Sequence, residues 1–223
     1  MGARVARVLV GLAALALLAG SNFLRDPSFE EARLGNWQWQ RWWYEVIVLR
    51  NDNPKQPDLN KSFFAPTIAA SEPAWDQESG GIAGAAGEVA NQQWTKFRGG
   101  FYQTVDVTPG ACVRFSVWAN EFCLTDDDQS CPVLLRAGID SLGGTNWQSQ
   151  HVQWAETTIS NSIYVSLTVP LAVVGPQGKV AVFTWGEPLY PAHYSSAFFD
   201  EASLVVLDVC EQVFLPVILR SSP

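Results

Sequence analysis

The sequence has 223 residues, of which 48% are apolar and 16% are charged, and its formal net charge is -8 at pH 7. This length suggests one domain with accessory ends, and the apolar content is sufficient for a sizeable core. An acidic chain without a run of Lys and Arg is a poor partner for nucleic acid or anionic lipid, so we expect neither. Ten tryptophans are many for this length, and tryptophan is enriched where flat apolar surfaces meet ligands or partners.

The first 20 residues have the pattern of a secretory signal peptide. Arg4 and Arg7 form a basic region, an apolar run from 8 to 19 follows, and small residues near Gly20 offer a cleavage site. The run is shorter than the roughly 20 residues of a membrane span. We therefore expect a secreted or cell-surface protein whose mature chain does not span a membrane, and the alternative is that this segment is retained as an anchor. Cleavage would remove two arginines and change the net charge from -8 to -10.

Short β-rich segments, separated by Gly, Pro, Asn and Asp, follow in place of long helical periodicity. Val113, Phe115 and Val117, for example, alternate with residues of the opposite face, as on a half-buried strand. Roughly eight such segments predict an all-β fold, an antiparallel β-sandwich of the jelly-roll type. Residues 50–93 are expected to form a long connection that is functional or mobile. The expected strands lie within 36–49, 101–107, 112–119, 134–140, 163–169, 179–185 and 197–207.

Four cysteines in an exported chain are expected to form disulfides, for which three connectivities are possible. Cys123 and Cys131 flank a short acidic segment, which favours a local bridge. Cys112 begins one expected strand and Cys210 ends the last one, so the two would be adjacent if those strands are antiparallel neighbours. We therefore prefer the pairing 112–210 with 123–131. Metal binding by these cysteines is not expected, because no C-x-x-C spacing occurs.

Three segments carry a family resemblance: "NFLRDPSFEE" at 22–31, "GGFYQTVDVTPGACVRFSVWAN" at 99–120 and "AFFDEASLVVL" at 197–207. Their order and content resemble carbohydrate-binding modules of the galactose-binding-like jelly-roll type, in particular the group that binds cellulose, xylan and glucan. The resemblance covers about residues 22–207. The terminal pair is Asp-Asp in that family and is Asp200-Glu201 here, and residues 50–93 do not align with it.

The resemblance implies one structural calcium ion, with Asp200 and Glu30 at the positions of two family ligands. The first and last strands of a sandwich can lie side by side, and two adjacent carboxylates repel unless a cation lies between them. Glu201 would point to the opposite side of its strand, so it is not expected to join Asp200 in one site. The alternatives are a solvent-exposed pair at a strand edge and, less favoured, a catalytic pair.

Sugars present C–H faces that stack on indole rings, and their hydroxyls form hydrogen bonds with planar polar side chains such as those of Arg, Asp, Asn and Gln. Trp118, Arg136 and Asp140 lie on the outward phase of their expected strands, so we expect them to line one open face. Trp147 follows in a Gly-rich loop, and Trp185 ends a strand. For any single tryptophan, packing in the core is the default expectation.

These observations predict an exported, non-catalytic carbohydrate-binding module that recognises a polysaccharide or a cell-surface glycan. Its single domain is expected at 21–210, after a signal peptide at 1–20 and before an apolar tail at 211–223. An enzyme is not expected, because the chain has no G-x-S-x-G, H-E-x-x-H or phosphate-binding glycine motif. The alternative is a structural or adhesive surface protein that uses the same fold for protein contacts, with the tail for anchoring or self-association.

Overall fold

The computed structural model describes residues 21–43, 67–71, 86–124, 130–189, 192–208 and 210. The predicted signal peptide and the tail lie outside these residues and stay predictions. The described residues form one short helix and eleven strands: α1 (Glu30–Arg33), β1 (Gln40–Trp43), β2 (Thr67–Ser71), β3 (Ala86–Thr95), β4 (Gly99–Asp106), β5 (Cys112–Leu124), β6 (Val133–Asp140), β7 (Gln153–Ile159), β8 (Val165–Thr168), β9 (Ala172–Val173), β10 (Lys179–Pro188) and β11 (Ala192–Leu207).

The strands form two antiparallel sheets. The five-stranded sheet has the order β1-β4-β10-β6-β7, and the six-stranded sheet has the order β2-β3-β11-β5-β8, with β9 also paired to β5. The predicted antiparallel β-sandwich is confirmed. Strand β2 and most of β3 lie within residues 50–93, so the prediction of one long connection there was wrong. Small residues such as Ala and Gly carry little strand signal, and this is why β2 and β3 were missed.

The core lies between the two sheets and follows the alternation that the sequence shows. Val113, Phe115 and Val117 of β5 are completely buried, as are Leu135 and Ile139 of β6. Because side chains alternate along a strand, each sheet contributes every second residue to this layer. Burial of a side chain of this size contributes about 1.5–3 kcal/mol, so the layer between the sheets is the main source of stability.

The N-terminal segment is bound to the last strand. The backbone N–H of Phe23 donates to the carbonyl of Leu204 at 2.9 Å, and the N–H of Leu204 donates to Asn22 Oδ1 at 3.0 Å. Further along, the N–H of Ala202 donates to the carbonyl of Pro27 at 2.9 Å. The first and last described parts of the domain are therefore adjacent, as the calcium prediction requires.

Both disulfides have the predicted pairing. Cys112 is bonded to Cys210 and Cys123 to Cys131, with Cα–Cα distances of 5.5 and 5.1 Å. The long-range bridge forms because β11 lies antiparallel beside β5, where Leu207 pairs with Cys112. The described residues contain no free cysteine.

In the part of the chain that the structure describes, no helix is long and apolar enough to cross a membrane.

Candidate functional site

A second apolar cluster lies on the outer face of the five-stranded sheet, the face that points away from the core. Alternation along β10 produces it, because Val180 and Val182 belong to the core whereas Ala181 and Phe183 belong to the outer cluster. Trp185 is the next residue of β10, after Ala181 and Phe183, whose side chain lies on the outer face. The other members come from β4, from β7 and from the segment between β6 and β7: Tyr102, Trp147, Val152 and Trp154.

Four tryptophan side chains on this face, Trp42, Trp147, Trp154 and Trp185, pack together and form what we call the tryptophan cluster. Trp185 is at its centre, with its ring centroid 5.3 Å from Trp42, 4.9 Å from Trp147 and 5.5 Å from Trp154, in edge-to-face arrangements. Trp42 and Trp147 are stacked, with centroids 4.5 Å apart. Trp42 and Trp185 are buried, whereas Trp147 and Trp154 are partly exposed. A ligand would therefore contact Trp147 and Trp154, and the other two rings support them.

The position of Trp154 depends on the absence of a side chain opposite it. Trp154 of β7 pairs directly with Gly138 of β6. A β-carbon built on Gly138 would lie 2.6 and 2.7 Å from the ring carbons Cζ3 and Cε3 of Trp154. No side chain other than that of glycine therefore leaves room for the indole to lie over β6.

Arg136 and Glu156 supply charged, hydrogen-bonding groups beside the indole rings. Trp185, Arg136 and Glu156 are direct cross-strand neighbours on β10, β6 and β7. The guanidinium carbon of Arg136 lies 4.6 Å from the ring centroid of Trp185, and Arg136 Nε forms an ion pair with Glu156 Oε2 at 2.7 Å. Trp185 makes a cation–π contact with Arg136 on one side, and Glu156 forms an ion pair with it on the other. Arg136 is therefore oriented by both neighbouring strands.

Glu187, two residues after Trp185 on the same strand, is the third charged group of the face. Its Oε2 accepts a hydrogen bond from Trp185 Nε1 at 3.3 Å, and its Oε1 lies 2.8 Å from Arg98 Nη2 and 3.9 Å from Lys96 Nζ. Burial lowers the pKa of Lys96; the nearby Glu187 carboxylate opposes this effect and the Arg98 cation adds to it. The carboxylate therefore connects two cations to the central ring of the cluster.

Three of the five predicted sugar-contacting residues, Arg136, Trp147 and Trp185, come together on this face. Trp118 does not join them, because β5 belongs to the six-stranded sheet, where its side chain is 41% exposed. The expectation that Trp118, Arg136 and Asp140 line one open face was therefore wrong. Alternation predicts which side of a strand faces outward, but it does not predict to which sheet the strand belongs.

Asp140 has the outward phase but is buried by the turn that follows β6. Its Oδ1 accepts the backbone N–H of Leu142 at 2.8 Å, and its carbonyl accepts the N–H of Gly143 at 3.1 Å. A short acid at this position stabilises a turn in the way expected for Asx motifs. Asp140 therefore shapes the loop that carries Trp147 and is not part of an open face.

Sequence reasoning missed Trp42 and Trp154 as members of the site. Residues 153–159 were not predicted as a strand, although Trp154, Glu156 and Thr158 alternate with Ala155, Thr157 and Ile159. The sequence did contain one signal for this strand. Gly138 in "RAGID" leaves space for an aromatic ring on a neighbouring strand, and Trp154 is such a ring.

The terminal carboxylates differ in environment. Asp200 is buried, and its Oδ1 accepts the backbone N–H of Glu201 at 2.7 Å. Glu201 is exposed. Its backbone has a φ of 47° and lies where the pairing of β11 with β5 shifts register, between Asp200 and Ser203. Glu30, at the start of α1, is exposed. No group of three or more His, Cys, Asp or Glu side chains suited to a metal occurs among the described residues. A calcium ion at Asp200 would therefore need backbone carbonyls as well, which calcium accepts, and the site stays a prediction.

Comparison with known proteins bears on the fold. No protein-family model matches the chain, and no curated protein matches it. The solved structure of TmCBM61 in complex with β-1,4-galactotriose aligns with a TM-score of 0.55 at 13% identity, over 84% of this chain and 100% of that one. The chain therefore shares the β-sandwich fold of TmCBM61. The resemblance seen in the sequence motifs is thus confirmed at the level of the fold.

The same β-sandwich fold is also matched within larger proteins. Arabinose-bound MgGH51 α-L-arabinofuranosidase aligns with a TM-score of 0.51 at 11% identity, over 84% of this chain and 27% of that one. The enzymatically active domain of bacteriophage CBA120 tailspike protein 4 aligns with a TM-score of 0.50 at 10% identity, over 83% and 21%. At such identities the likeness concerns the fold alone, and function must be argued from the site.

Proposed function

We propose that the protein is an exported, non-catalytic module that binds a polysaccharide or a cell-surface glycan through the outer face of its five-stranded sheet. The observation that carries this proposal is the tryptophan cluster, in which Trp147 and Trp154 are partly exposed beside the Arg136–Glu156 ion pair. TmCBM61, which shares the fold, was solved with a bound galactotriose, and this supports glycans as the ligand class.

The chemistry of the face suits a sugar chain. Indole rings present flat apolar surfaces on which the C–H faces of sugars stack, and Trp185 keeps the two exposed rings in place from below. The guanidinium of Arg136 can donate hydrogen bonds, and the half-exposed carboxylate of Glu156 can accept them. A sugar hydroxyl can therefore bond to this pair either as a donor or as an acceptor. Because Arg136 and Glu156 are already paired, little side-chain entropy remains to be lost on binding.

The proposed absence of catalysis rests on how the carboxylates of the face are used. Glu156 is paired with Arg136, and Glu187 is buried between Trp185, Arg98 and Lys96. Glycoside hydrolysis commonly needs one carboxyl group that holds a proton and one that faces the sugar ring. Glu156 and Glu187 both form ion pairs, so neither is suited to hold the proton that such a reaction needs.

Export is supported by the signal-like N-terminus and by two disulfides, which persist in oxidising compartments. A structural calcium ion held by Asp200, with Glu30 and backbone carbonyls, belongs to the same proposal. It would stabilise the contact between the N-terminal segment and β11.

Calorimetry against a panel of plant, fungal and bacterial polysaccharides and their oligosaccharides tests the proposal. We expect Trp147→Ala and Trp154→Ala to weaken binding about tenfold each, or about 1.4 kcal/mol, since each removes an exposed indole on which a sugar stacks. Trp118→Ala is the matched control, because it removes an indole from the opposite side of the sandwich. Absence of binding to every glycan at high protein concentration would contradict the proposal and favour a structural or adhesive protein that contacts other proteins.

A further inference from the structure

The indole N–H at the centre of the tryptophan cluster donates to a buried carboxylate. Trp185 is 8% exposed and Glu187 is 6% exposed, and the distance from Nε1 to Oε2 is 3.3 Å. The two residues are separated by one position on β10, so both side chains project from the same face. A buried indole N–H requires a hydrogen-bond partner, and Glu187 is the partner here.

The carboxylate of Glu187 is itself held in place. Its second oxygen forms ion pairs with Arg98 at 2.8 Å and with Lys96 at 3.9 Å. A buried carboxylate is costly unless it is paired, and these two cations hold its orientation. Lys96 and Arg98 flank Phe97, which is completely buried in the core, so the chain is anchored between the two cations.

We propose that Glu187 is a positioning residue for the glycan-binding surface, acting through the indole N–H of Trp185. Glu187 sets the orientation of the Trp185 ring. That ring contacts Trp147 at 4.9 Å and Trp154 at 5.5 Å, so its orientation determines where the two exposed rings meet a sugar chain. The effect of Glu187 on glycan binding rests on the proposed function, whereas its effect on the orientation of the Trp185 indole does not.

The indole is tested first, without any glycan, by two-dimensional NMR of the ¹⁵N-labelled protein. We expect the indole N–H resonance of Trp185, assigned with Trp185→Phe, to shift and to exchange faster with solvent in Glu187→Ala. Glu187→Gln keeps an acceptor oxygen and should restore most of the protection, which distinguishes positioning from a general loss of folding. An unchanged Trp185 resonance in Glu187→Ala overturns the inference.

Binding is tested second, with the oligosaccharide that binds the wild-type protein most tightly in calorimetry. Glu187→Ala should weaken binding about tenfold, which corresponds to about 1.4 kcal/mol. In the Trp185→Phe background, which lacks the N–H, the same substitution should have less than a threefold effect, because the residues would no longer be coupled. Equal effects in both backgrounds overturn the inference while leaving glycan binding intact. If the wild-type protein binds no glycan, the proposed function fails and the NMR result still decides the role of Glu187.

Discussion

Glu121 on β5 is a completely buried carboxyl group, and the stability of the domain should depend on its protonation. Its side chain has the core-facing phase of Val117 and Ala119, and Oε1 accepts the N–H of Ser162 at 3.0 Å. Oε2 is buried and has no hydrogen-bond partner among the described residues. Burial raises the pKa of Glu121 from 4.5 to about 7, and the Ser162 hydrogen bond opposes the increase only in part. We therefore predict that Glu121→Gln removes a pH-dependent loss of stability.

The sign and size of the effect follow from linkage between proton binding and folding. Because the pKa is higher in the folded state, the folded protein binds this proton more tightly than the unfolded chain does. The contribution of Glu121 to stability is complete below pH 4.5 and is lost as the pH rises through about 7. At about 1.4 kcal/mol per pH unit, the interval between these pKa values corresponds to a loss of about 3 kcal/mol.

Denaturant unfolding with the disulfides intact, followed from pH 4.5 to 9, measures this loss. Glu121→Gln keeps the acceptor for Ser162 and cannot ionise. It should therefore have nearly the wild-type free energy of unfolding at pH 4.5 and exceed it by about 3 kcal/mol near pH 9. Glu31→Gln, which changes an exposed carboxylate, is the control and should follow the wild-type profile. A difference between Glu121→Gln and wild type that is constant across this pH range would refute the reasoning.

Three further predictions concern other parts of the structure. If Asp200 holds calcium, a chelator should lower the melting temperature by removing about 2.7 kcal/mol at a hundredfold excess of calcium over Kd, and Asp200→Ala but not Glu201→Ala should abolish this response. Gly138→Ala should displace the indole of Trp154, weaken glycan binding about tenfold in calorimetry and cost about 1–3 kcal/mol of stability. Replacement of Cys112 and its disulfide partner by Ala should lower the free energy of unfolding by on the order of 4 kcal/mol in denaturant titrations.

Specific results would contradict each of these. A melting curve that a chelator leaves unchanged, together with a metal analysis that finds no calcium, would eliminate the metal site. Full glycan affinity in Gly138→Ala would mean that Trp154 does not contact the ligand. A variant without this disulfide that is as stable as the wild-type protein would show that the 98-position loop is already restricted in the unfolded chain.

The sequence predicted the parts of this fold that depend on neighbouring residues. Alternation in 112–119 located β5 and identified its core face, because the side-chain period of a strand is a local property. The disulfide pairing also followed, since it needed only that the first residue of β5 lie beside the end of the last strand. Strand β3 was not predicted, because it is rich in small and polar residues and lacks a clear alternation.

The candidate site was predicted only in part, because it depends on which strands share a sheet. Arg136 was assigned to an outward position and Trp185 to the end of a strand, and they meet because β6 and β10 are neighbours. Trp118 has the same outward phase and lies on the other sheet, a difference that no local pattern encodes. Asp140 was misassigned because an acid at a strand end serves equally well to cap a turn.

The disulfide between Cys112 and Cys210 affects how the domain bears a mechanical load. Strand β11 lies inside its sheet, between β3 and β5, and a force that pulls on the chain beyond residue 210 would otherwise open its hydrogen bonds one after another from that end. The covalent bond transfers this force directly to the first residue of β5, so β11 is bypassed and its ladder stays closed. A pull on the segment after residue 210 can thus be borne without unzipping the last strand.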